Sequence, residues 1–226
     1  MRFSMKVIAK GLAVLLLSAS LLVSCTEADS VDKAHESTHA EDRGKNVHPG
    51  SEAILVPTGP DAIGRVTGIE GVGLEAAADP SSAHIGRTIP DVQWQDATGR
   101  SGKLSDYRGQ VVLINFWGTW CPPCRRELPD LVRLRESLGP QGFEIVGLAL
   151  ERPEPGIDPA VNLAAFAEAQ NLVYPMVLAD DQTVRAYGGI NGVPTSFIVD
   201  RDGTIVSVIV GARSEADFRA VIEPIL

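Results

Sequence analysis

Residues 111–129 decide the fold, and they read VVLINFWGTWCPPCRRELP. The first part, Val111–Trp117, is apolar at nearly every position and rich in β-branched residues, which predicts a strand buried on both faces. A Gly-Thr-Trp turn follows, and then two cysteines spaced C-x-x-C. Residues 125–138 carry leucine and valine at helical spacing and precede a Gly-Pro pair, so they predict a helix. The two cysteines therefore stand between a buried strand and the first turn of a helix.

The position of the first cysteine favours a reactive thiol. The unpaired N–H groups and the dipole of a helix N-terminus stabilise a thiolate, so we expect a lowered pKa for Cys121. Cys124 lies one helical turn further on, close enough to close a small disulfide ring. We expect Cys121 to be the solvent-facing sulfur that attacks a disulfide, and Cys124 to be the shielded sulfur that resolves the mixed disulfide.

Two other uses of such a cysteine pair are open. A zinc half-site would need two further ligands, but the chain has only one other cysteine, Cys25, and no histidine after His84. An inert structural disulfide would stabilise little, because the loop that it closes is very short. We therefore expect a redox-active dithiol that holds no metal and uses no cofactor.

The first 24 residues have the pattern of a bacterial export signal. Three basic residues precede an apolar run, Gly11–Val23, of 13 residues, which is short for a membrane span. The run ends in Leu-Val-Ser-Cys, which resembles a lipobox. This resemblance implies that residues 1–24 are cleaved and that Cys25 carries a lipid anchor. The alternatives are a plain signal peptide, or an uncleaved anchor, with an incidental cysteine.

The composition argues against nucleic-acid binding. The chain of 226 residues is 44% hydrophobic and carries a formal net charge of −9. Cleavage after residue 24 would remove three basic residues and no acidic one, giving −9 − 3 = −12. A chain this acidic lacks the cationic surface that displaces counterions from phosphates.

Residues 25–84 are expected to be a flexible tether. They are polar at first and then rich in Gly, Ala and Pro, and they show no sustained periodicity. At most, a short strand could form around Ala53–Val56. Residues 26–49 contain three histidines, which could simply be part of a solvated linker or could form a metal-capturing tail; they are His35, His39 and His48.

Residues 85–226 carry the periodic segments of one domain. A β-hairpin with a turn at 96–99 is predicted before the buried strand and helix described above. The predicted elements that follow are a strand at 143–150, a helix at 160–170, a strand at 173–178, a helical turn at 183–187, strands at 196–199 and 205–210, and a helix at 214–226. This order predicts an α/β fold with a mixed β-sheet flanked by helices.

Three segments together resemble a known family. Asn115–Pro129 looks like the active site of thioredoxin-fold proteins. More narrowly, it resembles the TlpA/ResA-type membrane-anchored thiol-disulfide oxidoreductases. Leu104–Gln110 resembles the segment that precedes the active site in this family, and Gly192–Asp200 resembles the family's second characteristic motif. The resemblance covers about residues 85–226. It implies a thioredoxin-like fold with an N-terminal β-hairpin and a central αβ insertion.

The resemblance also implies a substrate-binding surface. The Val193–Pro194 peptide bond is implied to be cis, in a loop that faces the dithiol. The backbone of Val193 would pair with an extended client segment, and Pro194 has no N–H with which to compete for the thiolate. Trp120, directly before the first cysteine, is expected to contribute to the same surface.

Two positions concern the handling of protons. Thioredoxins place a buried aspartate six residues before the first cysteine, but here that position is Asn115, which cannot titrate. The TlpA/ResA pattern instead has a glutamate three residues after the second cysteine, and Glu127 matches it. Because three residues make about one helical turn, we expect Glu127 to help deprotonate Cys124, with a pKa raised by partial burial. The alternative is a solvated surface glutamate.

The resulting prediction is a thiol-disulfide reductase of the bacterial envelope, lipid-anchored and facing the periplasm or extracytoplasmic space. Neither Pro122 nor Pro123 supplies an N–H to the Cys121 thiolate, which makes the couple more reducing. The resemblance implies a membrane-embedded thiol electron donor. It implies as clients oxidised cysteine-containing exported proteins, in cytochrome c maturation or copper-site assembly. The alternatives are a thiol oxidase or isomerase, and a copper-binding assembly chaperone.

Overall fold

The structure is a computed structural model that describes residues 60–71, 73–74, 84–95 and 100–226. Its strands are β1 (Gly64–Glu70), β2 (Asp91–Gln95), β3 (Ser101–Lys103), β4 (Val111–Trp117), β5 (Phe143–Ala149), β6 (Met176–Leu178), β7 (Thr195–Val199) and β8 (Ile205–Val210). The α-helices of the described residues are α1 (Pro122–Leu138), α2 (Pro159–Ala169), α3 (Asp181–Ala186) and α4 (Glu215–Ile222). The strands form one mixed sheet in the order β3-β2-β1-β6-β5-β4-β7-β8.

The centre of the sheet is formed by β4 and β5, which are buried at every position. β4 pairs in parallel with β5 and antiparallel with β7. A hydrophobic core lies on each side of this centre. One core contains Leu131 of α1 and Phe218 of α4. The other contains the edge-to-face aromatic cluster of Phe116, Tyr187 and Phe197.

Most of the predicted element order is confirmed. β2 and β3 pair antiparallel as the N-terminal hairpin, although its turn at 96–99 lies outside the described residues. The central αβ insertion is α2 followed by β6, which pairs in parallel with β5. The last helix begins after Ser214, as predicted, because the Ser214 side chain accepts a hydrogen bond from the Asp217 N–H.

The predicted flexible tether, 25–84, extends too far toward the C-terminus. β1 lies in that range, yet it pairs antiparallel with β2 and in parallel with β6. The pattern was hard to detect because a bulge between Val66 and Gly68 shifts the register. Val66 and Ile69 therefore both pack on the same core although they are three residues apart. A period of two would have placed them on opposite faces.

Several sequence predictions lie outside the described residues. These are the signal peptide at 1–24, the lipidated Cys25, the short strand at 53–56 and the histidines at 35, 39 and 48. Within the part of the chain that the structure describes, no helix is long and apolar enough to cross a membrane.

A buried ion pair ties α1 to the central sheet. Glu144 of β5 has a side chain that is only 3% exposed, and its two carboxylate oxygens accept hydrogen bonds from Nε and Nη2 of Arg135, each at 3.0 Å. The carboxylate also accepts from the Ile145 N–H at 2.9 Å. A forked pair of this kind, with both partners largely desolvated, is lost at a higher cost than an exposed pair.

We therefore expect Glu144→Gln to lower the free energy of unfolding by about 2 kcal/mol, because the Arg135 guanidinium loses its charged partner inside the fold. Arg65→Gln is the matched control, since it removes the exposed Arg65–Asp158 pair at 2.7 Å and should cost much less, because solvent screens that pair. Urea denaturation of the two variants measures both values. Equal losses would show that the burial of the Glu144 pair does not matter.

Candidate active site

The two cysteines are joined in a disulfide at the point where β4 leads into α1. Cys121 is the N-cap residue of α1, and its sulfur accepts from the Cys124 N–H at 3.2 Å. Pro122 and Pro123 fill the first two helical positions, so Cys124 carries the first N–H of the helix that can reach the capping sulfur. The placement of the dithiol at a helix N-terminus is thus as the sequence predicted.

The exposure of the two sulfur-bearing residues differs less than expected. Cys121 is 3% exposed and Cys124 is fully buried. Cys121 is therefore the more accessible of the two, as predicted, but it does not face solvent openly. With 3% of its surface exposed, Cys121 can be reached only past the residues that surround it.

The loop before β7, which contains Val193 and Pro194, lies next to Cys121. The Val193–Pro194 bond is cis, as the resemblance implied. The Val193 carbonyl oxygen lies 3.6 Å from the Cys121 Sγ atom. The loop is held from behind, because the Gly211 N–H donates to the Pro194 carbonyl at 2.8 Å. Trp120 is 37% exposed, and it is the predicted substrate-binding residue adjacent to Cys121 in sequence.

Glu127 is buried, with 2% of its surface exposed, so it is not a solvated surface glutamate. Its carboxylate accepts from Asn115 Nδ2 at 3.0 Å and from the Arg213 N–H at 3.1 Å. Burial raises the pKa of the Glu127 carboxyl to about 7, although these two hydrogen bonds act in the opposite direction. A carboxyl group with this pKa exchanges protons near neutral pH.

Asn115 connects Glu127 to β7, the strand that follows the Val193–Pro194 loop. Its Nδ2 atom also donates to Ser196 Oγ of β7 at 3.0 Å. The amide thus fills the position of the thioredoxin aspartate with a donor that holds the glutamate in place. Ser196 and Arg213 were not predicted from the sequence. Arg213 contributes a backbone N–H, and a backbone donor leaves no signal in the residue type.

Three consecutive residues after β5 hold the turn before Cys121, and the sequence did not indicate them. The Leu150 carbonyl accepts from Trp120 Nε1 at 2.7 Å. The Glu151 carboxylate accepts from the Thr119 N–H at 2.9 Å and from the Thr119 hydroxyl at 2.6 Å. The Arg152 guanidinium carbon lies 3.7 Å from the centre of the Trp120 ring. We name residues 150–152 the clamp segment.

The glycine at 118 is required by this arrangement. A Cβ atom on Gly118 would lie 2.5 Å from Trp120 Nε1 and 2.9 Å from the Leu150 carbonyl oxygen. The indole folds back over Gly118, and no larger residue fits beneath it. The G-T-W triplet of the sequence is thus explained by the close approach of the Trp120 ring to the backbone.

The described residues contain no group of three or more His, Cys, Asp or Glu side chains that could hold a metal ion. The dithiol itself is closed as a disulfide, so its sulfurs bond to each other. The chemistry that this geometry supports is exchange between thiols and disulfides, with Glu127 as a nearby proton-exchanging group.

Comparison with known proteins supports this chemistry. Residues 85–208 match the AhpC/TSA family. Thiol-disulfide oxidoreductase ResA of Geobacillus thermodenitrificans (strain NG80-2) is 36% identical over 148 residues, which cover 65% of this chain and 81% of that protein. ResA of Bacillus subtilis (strain 168) is 29% identical over 150 residues, covering 65% and 80%.

Solved structures agree with the predicted thioredoxin-like fold. A thioredoxin-family thiol:disulfide interchange protein from Chlorobium tepidum TLS is 32% identical, with a TM-score of 0.54, and the match covers 66% of this chain and 99% of that one. A secreted thiol-disulfide isomerase from Corynebacterium glutamicum is 25% identical, with a TM-score of 0.55 and coverage of 70% and 98%. The chain therefore belongs to the AhpC/TSA family and is a thiol-disulfide oxidoreductase of the ResA/TlpA type within the thioredoxin superfamily.

Proposed function

We propose that this oxidoreductase reduces disulfides in exported client proteins, with Cys121 as the attacking sulfur and Cys124 as the resolving sulfur. The observation that carries this assignment is the asymmetry of the dithiol. Cys121 lies beside the Val193 carbonyl at the entrance, and Cys124 is fully buried one turn before Glu127. We therefore expect a client to reach Cys121 first, and Glu127, three residues after Cys124 on the same helix, to accept the Cys124 proton.

The reaction follows from this asymmetry in two steps. In the reduced protein, the Cys121 thiolate attacks one sulfur of the client disulfide, so a mixed disulfide forms and the other client sulfur leaves as a thiolate. Cys124 then loses its proton to Glu127 and attacks the Cys121 sulfur, which releases the second client thiolate. Two electrons pass to the client, whose thiolates take up protons, and the protein is left with the disulfide between Cys121 and Cys124.

Glu127 is the proposed proton acceptor because its surroundings suit both of its states. As a carboxylate it is held by the Asn115 amide and the Arg213 N–H. Burial makes the protonated form accessible near pH 7. Asn115 is a positioning residue in this proposal, since it touches Glu127 and not the sulfurs.

The proposed direction of electron flow is reduction of the client. Pro122 and Pro123 have no N–H, so within the first turn only the Cys124 N–H contacts the Cys121 sulfur. A thiolate with few donors is less stabilised, which makes the disulfide form relatively more stable and the couple more reducing. A thiol oxidase or isomerase would use the same dithiol at a higher potential.

We further propose that the domain works in the bacterial cell envelope, on a lipid anchor at Cys25, after cleavage of residues 1–24. The lipobox-like sequence and the basic and apolar segments before it support this location. The electron donor would be a membrane-embedded thiol protein. The clients would be exported proteins with oxidised cysteines, such as those of cytochrome c maturation or copper-site assembly, and Trp120, Val193 and Pro194 would bind them.

The redox potential of the Cys121–Cys124 couple tests the proposed direction of electron flow. Equilibration of the dithiol with glutathione should give a value nearer to that of reducing thioredoxins, about −270 mV, than to that of dedicated disulfide-forming proteins, about −120 mV. Mass spectrometry after acid quenching and thiol alkylation measures the fraction oxidised. A potential near about −120 mV would contradict the proposed reduction of clients and indicate a thiol oxidase instead.

The order of attack is tested by trapping. Cys124→Ala should leave Cys121 in stable mixed disulfides with clients, because the resolving thiol is absent. The trapped clients can be purified from envelope fractions and identified by mass spectrometry. Cys121→Ala is the matched control and should trap none, since Cys124 is fully buried. If only Cys121→Ala formed adducts, Cys124 would be the attacking sulfur and Cys121 the resolving one.

Replacement of Glu127 should change two properties that depend on pH. The raised pKa means that the folded protein binds the Glu127 proton more tightly than the unfolded chain does. This contribution to stability is complete below about pH 4.5 and is lost as the pH rises through about 7. For the oxidised protein, the loss should reach about 3 kcal/mol, and Glu127→Gln should remove it. In the reduced protein, the same variant should slow deprotonation of the Cys124 thiol and change the pH profile of its alkylation, because the proposed proton acceptor is absent.

Chemical denaturation across this pH range measures the first property, and alkylation rates of each thiol measure the second. Glu136→Gln is the matched control, because Glu136 lies on the same helix but is exposed. It should leave both pH profiles unchanged. An unchanged Cys124 profile in Glu127→Gln would remove Glu127 from the reaction.

A further inference from the structure

The exposed surface next to Cys121 consists of the Trp120 indole, held in place by hydrogen bonds, and the Arg152 guanidinium stacked on it. Trp120 is fixed at its Nε1 atom by the Leu150 carbonyl, and the turn before it is fixed by Glu151. Asn162 of α2 adds contacts from its Nδ2 atom to the Thr119 hydroxyl at 3.3 Å and to the Glu151 carboxylate at 3.4 Å. The indole is therefore held in one orientation before any client binds.

Arg152 supplies the cation, and its charge is not neutralised within the described part of the chain. Its guanidinium stacks 3.7 Å from the Trp120 ring centre and is exposed. Among residues 60–71, 73–74, 84–95 and 100–226, no carboxylate forms an ion pair with it. The adjacent Glu151 carboxylate is already bonded to Thr119. A guanidinium stacked on an aromatic ring keeps its N–H donors free at its edge for a carboxylate.

The geometry places this cation within reach of a client that is bound to Cys121. The Cα atoms of Trp120 and Cys121 are about 3.8 Å apart, and the Arg152 guanidinium lies 3.7 Å beyond the centre of the Trp120 ring. With the length of the Trp120 side chain added, the guanidinium lies within roughly 12 Å of the Cys121 backbone. An extended client segment advances about 3.4 Å per residue, so a side chain two to four residues from the client cysteine can meet Arg152. Cys121 is 3% exposed, and Trp120, which carries the stacked Arg152, precedes it directly in the chain.

We propose that Arg152 is a specificity-determining residue that selects clients with an aspartate or glutamate two to four residues from the attacked disulfide. The charge of the whole chain makes this local cation important. With 29 acidic and 20 basic residues, the protein repels acidic segments in general, and Arg152 offsets that repulsion at the entrance. The proposal rests on the proposed role of Cys121 as the attacking sulfur.

The test uses peptides that contain one disulfide and differ only in the third residue on either side of the cysteine, which is Asp, Asn or Lys. The measured quantity is the ratio of kcat/KM for the Asp peptide to that for the Lys peptide, with the reduced protein as reductant. We expect a ratio of about three to ten in the wild type, as for an ion pair at a partly exposed interface. Arg152→Gln should bring the ratio close to one, and Arg152→Glu should invert it.

Arg125→Gln is the matched control. Arg125 is an exposed cation four residues from Cys121, on α1, but it is not stacked on Trp120. It should keep the wild-type ratio. A wild-type ratio of one, or an equal fall in Arg125→Gln and Arg152→Gln, would overturn the role of Arg152. Reduction of all peptides by Cys121→Ala would instead overturn the proposed role of the dithiol, so the two failures are distinguishable.

Discussion

The hydrogen bonds to the Glu127 carboxylate join parts of the fold that are far apart in the chain. One donor is the Asn115 side chain on β4, and the other is the Arg213 N–H in the loop before α4. A buried carboxylate is costly unless donors hold it, so the packing of α1 against β4 and α4 must be kept for the carboxylate to stay buried. The same packing seals Cys124 from solvent. Glu127, the proposed proton acceptor, and the buried Cys124 therefore depend on one arrangement of α1.

On the Cys121 side of the site, other contacts hold the backbone in place. There the turn before Cys121 is fixed by the clamp segment, which follows β5, the parallel neighbour of β4. Parallel strands end at the same edge of a sheet, so the residues after β4 and after β5 meet there without a long-range loop. Because Gly118 lacks a side chain, the Trp120 ring can lie against this edge. The surface that we propose to bind clients is therefore attached to the ends of two adjacent strands.

The sequence predicted the features that rest on long runs or on side-chain chemistry. The strand β4 and the helix α1 were predictable because burial on both faces, or on one helical face, leaves an apolar pattern. Cys121, Cys124 and Glu127 were found by spacing and resemblance. The strand β1 was missed because its bulge breaks the alternation that marks a strand. Arg213 and Leu150 were missed because they act through backbone atoms, and Glu151 and Arg152 because their partners, Thr119 and Trp120, lie over 30 positions away.

The two sulfurs divide the site into halves with separate tasks. On the Cys124 side, Asn115 and Glu127 are buried polar groups whose strength depends on a low local dielectric. On the Cys121 side, Trp120 and Arg152 are exposed, so their interactions are weaker, screened by salt and open to change. Under the proposed roles, a change in the exposed half should alter which clients are accepted without disturbing proton transfer in the buried half, because no hydrogen bond or ring contact in the described part of the chain joins Trp120 or Arg152 to Asn115 or Glu127. Substitutions at the surface would then change the clients while the dithiol chemistry stays the same.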